Sequence, residues 1–260
     1  MSCEKEGGEI LTLKELYDMI FKRKSFRRFD DTLTLLEQEL HDINHVIKNL
    51  IPLVEGIEVK CRIVPREETT SKRGEYCLLI YSQEKEHYLL NIGYMFEQLD
   101  LHLASKNIGV CWYGMGKVNE PQYDNLKYVI MLALGKGENS DFRKDYKKSK
   151  RKETSDIWKG GLSLEIGDTV KYAPSSCNTQ PWRVVCENYT LKVYRTTDVK
   201  SIIPKEKVPF YNSIDMGIFL YFLELTLSHN EFSFQKSLSP ENDGFNLKSI
   251  ATYILEKNRS

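Results

Sequence analysis

Residues 22–31, KRKSFRRFDD, set Ser25 between Arg23 and Arg27, with Lys24 beside it. Forked guanidinium donors, an ammonium and a hydroxyl are suited to holding a dianion such as a phosphate. Basic runs are also common as solvated faces, so the cluster alone does not decide the matter. A second stretch, YAPSSCNTQPWRV at 172–184, gathers Pro174, Ser175, Ser176, Asn178 and Gln180, then closes on Pro181-Trp182. Its small polar side chains fit a loop that wraps a flat, polar object, and Trp182 fits a core anchor for that loop. Gln180 serves either the loop itself or whatever the loop wraps. Cys177 lies inside the stretch and is a candidate nucleophile, with no His close in sequence to act as its base.

Elements must position these groups. Thr12-Leu-Lys-Glu15 reads as a capping box that opens a helix through Phe21. Helical spacing of Leu36, Leu40, Ile43, Val46, Ile47 and Leu50 predicts a second helix over 33–50. Strands are expected at 57–64, 76–81 and 128–135, and long helices at roughly 88–106 and 213–229. The segment Gly109–Gly116 leads away from the first long helix. Residues 157–172 are expected to be mostly helical, 183–195 to form two strands around a turn at Asn188, and 231–235 to be a strand. The stretch 247–255 is a strand or a helix. The polar start, MSCEKEGGE, is expected to fray.

The chain has 260 residues, 41% hydrophobic and 28% charged, with a formal net charge of zero. That balance gives no global attraction to nucleic acid or to an anionic membrane. The most apolar run, GIFLYFLELTL at 217–227, is too short to span a bilayer and carries Glu224. With no leader pattern at the start, a cytoplasmic location is expected. The six cysteines, at 3, 61, 77, 111, 177 and 186, form no C-x-x-C pair and no metal-ligand spacing with His, so no metal site is expected. LGKGEN at 134–139 is not a dinucleotide fingerprint.

The two long helices superpose in sequence. IGYMFEQLDLHLAS at 92–105 matches MGIFLYFLELTLSH at 216–229, so that Gly93 meets Gly217 and Asp100 meets Glu224, all at an offset of 124. Any two amphipathic helices share some Leu spacing. The repeated series of helix, Pro, strands, long helix and strand points to a duplication, and two like halves in one chain can copy a homodimer. The basic run RKDYKKSKRK at 143–152 marks the junction, dividing a first half, 1–148, from a second, 149–260.

Four segments together resemble the nitroreductase family of FMN-dependent oxidoreductases. RKSFRRFD at 23–30 is similar to that family's Arg-Ser-Arg signature, and APSSCNTQPW at 173–182 to its Pro-Ser-Ser-x-Asn-x-Gln-Pro-Trp loop. NIGVCWYGMG at 107–116 and SKRKETSDIW at 149–158 resemble two further family segments. Their order departs from an ordinary member, where the loop follows the Arg-Ser-Arg segment closely. Here about 145 residues intervene, and NLIPLVEGIEV, which keeps Pro52 but has lost the polar loop, occupies its usual place. This pattern resembles an internally duplicated branch of the family.

The resemblance implies an α+β, nitroreductase-like fold with two pseudo-repeated halves forming a pseudo-dimer. It implies one composite FMN site, and either a monomer or a weak homodimer. Arg23, Lys24 and Ser25 would hold the phosphate end, with Lys150 or Arg151 completing the clamp. Arg27 would face the ring edge that gains negative charge on reduction. Pro174, Ser175, Ser176, Asn178 and Gln180 would line the ring and its polar edge, with Tyr113, Gly114 and Met115 along the other side. The chemistry would sit on flavin N5, with no catalytic side chain. NADH or NADPH would be the reductant and a small molecule such as a nitroaromatic or quinone the acceptor. A flavin-binding sensor without turnover, or a dehalogenase or dehydrogenase reaction, are the alternatives on the same fold.

Overall fold

The computed structural model describes residues 11–240 and 247–257. The polar start read as frayed, with Cys3, lies outside them. The described chain opens with helix α1 (Leu13–Lys22), whose N-terminus carries the expected capping box: Glu15 N–H donates to Thr12 Oγ1 at 3.3 Å, and Thr12 N–H to Glu15 Oε2 at 2.8 Å. Helix α2 (Glu37–Lys48) starts later than its apolar spacing suggests. The preceding residues run extended because side chains claim their backbone. Leu35 N–H donates to Glu75 Oε2 at 2.7 Å and Leu36 N–H to Glu39 Oε2 at 3.0 Å.

The chain forms two compact units, and they are not the consecutive halves 1–148 and 149–260. The first unit comprises the residues up to Ile51, Glu58–Ser82 and Gln98–Lys144; the second comprises Pro52–Ile57, Gln83–Glu97 and the chain from Asp145 onward. Long helix α3 (Tyr88–Ser105) contributes to both.

The first unit is built on an antiparallel sheet of β1 (Val59–Pro65), β2 (Tyr76–Ser82), β3 (Ile108–Tyr113), β4 (Gln122–Tyr123) and β5 (Leu126–Lys136). Its order is β1-β2-β5-β3, with β4 paired to β5. Strand β2 is a continuous buried run from Cys77 to Ser82, as expected of a strand covered on both faces. The segment Gly109–Tyr113, expected to lead away from the helix, is itself strand β3.

In the second unit, 157–172 is helical over Ser163–Val170, as expected, but a strand and a turn precede that part. One turn, α4 (Thr154–Ile157), leads into strand β6 (Trp158–Gly160), then a π-helical segment over Ser163–Gly167 that continues into a short α5 (Asp168–Val170). Gly160 and Gly161 interrupt the helix, and Trp158 is buried with its Nε1–H donating to Gly161 O at 2.8 Å. Strands β7 (Trp182–Glu187) and β8 (Thr190–Thr196) form the expected hairpin, with Asn188 and Tyr189 both at positive φ. Helix α6 (Val208–His229) begins earlier than expected, with Pro209 in its first turn, and is buried almost all round. It is followed by β9 (Phe232–Leu238) and β10 (Leu247–Lys257), which settles the terminal segment as a strand. The sheet order is β6-β7-β8-β10-β9, parallel at β6–β7 and antiparallel elsewhere.

Leaving aside the short β4 and β6, each sheet has two strands before a long helix in the sequence and two after it, with the order first-second-fourth-third: β1-β2-β5-β3 and β7-β8-β10-β9. Within the second unit, the early turns of α3 meet α6 at two glycines. A Cβ on Gly93 would lie 2.0 Å from Ile214 O, and one on Gly217 would lie 1.9 Å from Leu90 O. Gly93 neighbours Ile214 and Ile218, while Gly217 neighbours Leu90 and Tyr94, each pair displaced by the same 124 residues. The contact is reciprocal, like that of a two-fold dimer interface. No helix among the described residues is long and apolar enough to cross a membrane.

Candidate functional site

In the first unit, the basic segment after α1 is pinned to β3. Ser25 bridges Val110 in parallel, and Phe26 N–H donates to Val110 O at 2.9 Å. Phe26 is buried against Phe142, with ring centroids 4.8 Å apart. Arg23 is buried, and its Nε and Nη2 lie 2.9 and 2.7 Å from Asp100 Oδ2. Trp112 Nε1–H donates to the same oxygen at 3.1 Å. Burial pushes the Asp100 carboxyl up, and the Arg23 charge with these hydrogen bonds pulls it back. Arg23 Nη2 also reaches Ser25 Oγ at 3.5 Å. Arg23 thus anchors the segment inward, whereas Ser25 and Arg27 are exposed and Lys24 is half-buried, its ammonium over the Phe26 ring at 5.3 Å. Tyr113 ends β3, with the Arg73 guanidinium 5.5 Å from its ring centre; Gly114 and Met115 follow, and Met115 is exposed.

In the second unit, the loop from Pro174 to Gln180 is wound tightly. Cys177, Asn178 and Gln180 all take left-handed φ, at 49°, 57° and 49°. Such strain in non-glycine residues needs surrounding bonds to hold it. Gln180 N–H donates to Ser175 Oγ at 3.0 Å, and Gln180 Oε1 accepts from Lys152 N–H at 2.8 Å. Gln180 Nε2–H donates to Asn178 O at 3.3 Å, so both ends of this amide serve the loop. Arg151 donates through Nη1 to Asn178 Oδ1 at 2.9 Å and through Nη2 to Tyr172 O at 3.1 Å. Asn178 Nδ2–H returns a bond to Lys150 O at 3.0 Å, and the Lys150 side chain is exposed. Pro174 is buried, and Trp182 is fully buried and stacked on Phe219 at 5.0 Å. Cys177 is exposed.

Helix α6 supplies the loop's deeper support. Ser176 donates its N–H to Asp215 Oδ1 and its hydroxyl to Asp215 Oδ2, each at 2.9 Å. One turn earlier, Asn212 Oδ1 accepts from Thr179 Oγ1 at 3.1 Å. Asp215 is buried, which raises its carboxyl to about 7 against the pull of the two Ser176 bonds. Asp100, Asn212 and Asp215 were not expected from the sequence. They act across 77, 33 and 39 residues, and a lone acid on an apolar helix gives no sign of its partner. Burial also raises the Cys77 and Cys186 thiols and pushes Cys61 to about 12. Among the described residues, no group of three or more His, Cys, Asp or Glu is placed to hold a metal ion.

These two residue sets sit on an α+β fold with comparable solved relatives. Residues 15–227 match the family model described as "Putative TM nitroreductase". The chain belongs to this nitroreductase family, which places it among oxidoreductases. It is similar to the crystal structure of a "putative nitroreductase" from Thermotoga maritima, at 17% identity and a TM-score of 0.61, covering 97% of this chain and 99% of that one. That likeness shows a nitroreductase-like fold. Shorter matches include a nitroreductase family protein from Clostridium difficile (11% identity, TM-score 0.43, 54% of this chain and 95% of that one). Another is a "Putative NADH Oxidase" from Clostridium acetobutylicum (14% identity, TM-score 0.40, 54% and 97%). No curated protein compared with the chain matches it.

Proposed function

We propose that the protein is an FMN-dependent oxidoreductase that takes hydride from NADH or NADPH and delivers it to a small acceptor such as a nitroaromatic or a quinone. The observation that carries this reading is the Pro174–Gln180 loop. Its strained backbone is held by its own side chains and by Asn212 and Asp215, which is the preorganisation a binding loop needs.

The residue types in each unit suit parts of a flavin mononucleotide. In the first unit, Arg23 is tied to Asp100 and fixes the segment, so that Ser25 and the Lys24 and Arg27 cations serve the phosphate and the ring edge that turns negative. In the second unit, Pro174, Ser175 and Ser176 bear on the ring system, and the exposed Lys150 adds a cation. Arg151, Asn178 and Gln180 act by shaping the loop. Tyr113, Gly114 and Met115 complete the proposed contacts at the end of β3. When bound, FMN supplies the two-electron chemistry, and the protein's part is to bind, orient and shield. A cytoplasmic setting and a monomer or weak homodimer belong to the same proposal.

The test is to load the purified chain with FMN and mix it anaerobically with NADH and, separately, NADPH. Loss of the yellow absorbance, restored by a quinone or nitroaromatic, is the expected result. Colour that persists with both reductants contradicts turnover and leaves a flavin binder.

A further inference from the structure

Two loops in the second unit follow a proline and lie against a long helix, and both are clasped by a polar residue at the matching place on that helix. After Pro52, the backbone N–H groups of Leu53 and Val54 donate to Asn91 Oδ1 at 2.8 and 3.1 Å. After Pro174, the N–H of Ser176 donates to Asp215 Oδ1 at 2.9 Å. Asn91 and Asp215 are separated by the same 124 residues that relate Gly93 to Gly217. An uncharged amide is therefore sufficient to hold the backbone of such a loop.

The carboxylate does something that the amide cannot. Two residues beyond the first proline stands Val54, paired with Asn; two beyond the second stands Ser176, paired with Asp. An ionised carboxylate can accept and never donate. Above about pH 7, where Asp215 is ionised, the Ser176 hydroxyl spends its proton on Asp215 Oδ2 and offers lone pairs alone to anything else that meets it.

We propose that Asp215 is a positioning residue that fixes the Ser176 hydroxyl as a hydrogen-bond acceptor for an N–H of the bound flavin ring. This rests on the flavin reading above. Asp215 also places a buried negative charge behind the loop, which disfavours the extra negative charge of a reduced flavin. Asp215→Asn is the discriminating change. The Asn oxygen keeps the Ser176 N–H, as Asn91 keeps those of Leu53 and Val54. The Asn amide now donates to Ser176 Oγ, and the hydroxyl turns its proton outward.

The experiment measures FMN affinity by fluorescence quenching and the midpoint potential of bound FMN. The wild-type chain, D215N, S176A and the double variant are compared at a pH above the Asp215 value. D215N should fold and bind FMN about tenfold more weakly or worse, a difference of about 1.4 kcal/mol. Its bound flavin should have a more positive potential, which loosening of the loop would not produce in a fixed direction. S176A should weaken binding comparably, and the double variant should add nothing further. Unchanged affinity in D215N, or losses that add in the double variant, would overturn the proposal. So would a D215N chain that fails to fold, because the carboxylate would then be needed merely to hold the backbone. Wild-type protein that takes up no FMN sinks the flavin reading and this proposal with it, whereas wild-type uptake with an unaffected D215N sinks this proposal alone.

Discussion

Asp100 of α3 and Glu224 of α6 occupy matching helix positions and are answered differently. In the first unit, Asp100 takes a buried arginine, Arg23, and the indole N–H of Trp112. In the second unit, Glu224 takes Lys236 at 3.0 Å and the hydroxyls of Tyr94 and Tyr253 at 2.8 and 2.7 Å. Trp112 and Lys236 are themselves separated by 124 residues, so the strand-to-helix bond is preserved while its donor has changed from a neutral ring to an ammonium. Each unit holds a buried acid at the matching helix position. Asp100 anchors a segment rich in exposed basic residues, and Glu224 forms an internal polar knot.

The loops teach the same lesson from the other side. The one after Pro52 lacks the polar residues and has an amide clasp; the one after Pro174 has Ser176 and a carboxylate. Each candidate segment is held by a charged helix residue.

The largest expected effect separates the two acids. Asp100→Ala strands the buried Arg23 charge and should cost about 3–5 kcal/mol in urea unfolding. Glu224→Gln should cost about 1–2 kcal/mol, because Lys236 retains access to water. Equal losses would mean that the two clusters are not distinct in kind. Next come Gly93→Ala and Gly217→Ala, each forcing a methyl onto a backbone carbonyl, with an expected cost of about 1–3 kcal/mol. The two should match within error if the crossing is reciprocal, and a large disparity would break that symmetry.

The pH dependences of two buried groups run in opposite directions. Asp215 has a folded value of about 7 against an ordinary 3.8, so between these values the folded chain holds a proton that the unfolded chain lacks. Its stabilising share is full below about 4 and is lost as pH rises through 7. His102, buried on α3, is held down to about 4 from 6.5, chiefly by burial and further by Lys106, with Asp42 opposing. Its share is full above 6.5 and is lost as pH falls toward 4. Between about pH 4 and 6.5 the two trends oppose each other in the wild type, so unfolding free energies should rise with pH in Asp215→Asn and fall with pH in His102→Gln.

Much of the fold was legible in local pattern. The Thr12–Glu15 box, the two long helices and the Asn188 hairpin each rest on spacing within a few residues. The misreadings arose where distant partners overrode that spacing. Glu75 and Glu39 hold the chain extended before α2, and β7 recruits Trp158–Gly160 as a parallel strand from a stretch expected to be mostly helical. At the candidate site, the residue types of the basic segment and the loop were visible. Their supports, Asp100, Asn212 and Asp215, were not, since a helix acid shows its partner only once the chain has folded. Gln180 could have served loop or ligand by its type, and the bonds of its amide show it serving the loop.

Titration of FMN with the purified chain, followed by fluorescence quenching, tests the central reading most directly. Saturable uptake of one FMN per chain, with a yellow protein surviving gel filtration, is expected. A chain that leaves FMN fluorescence untouched and elutes colourless would contradict it.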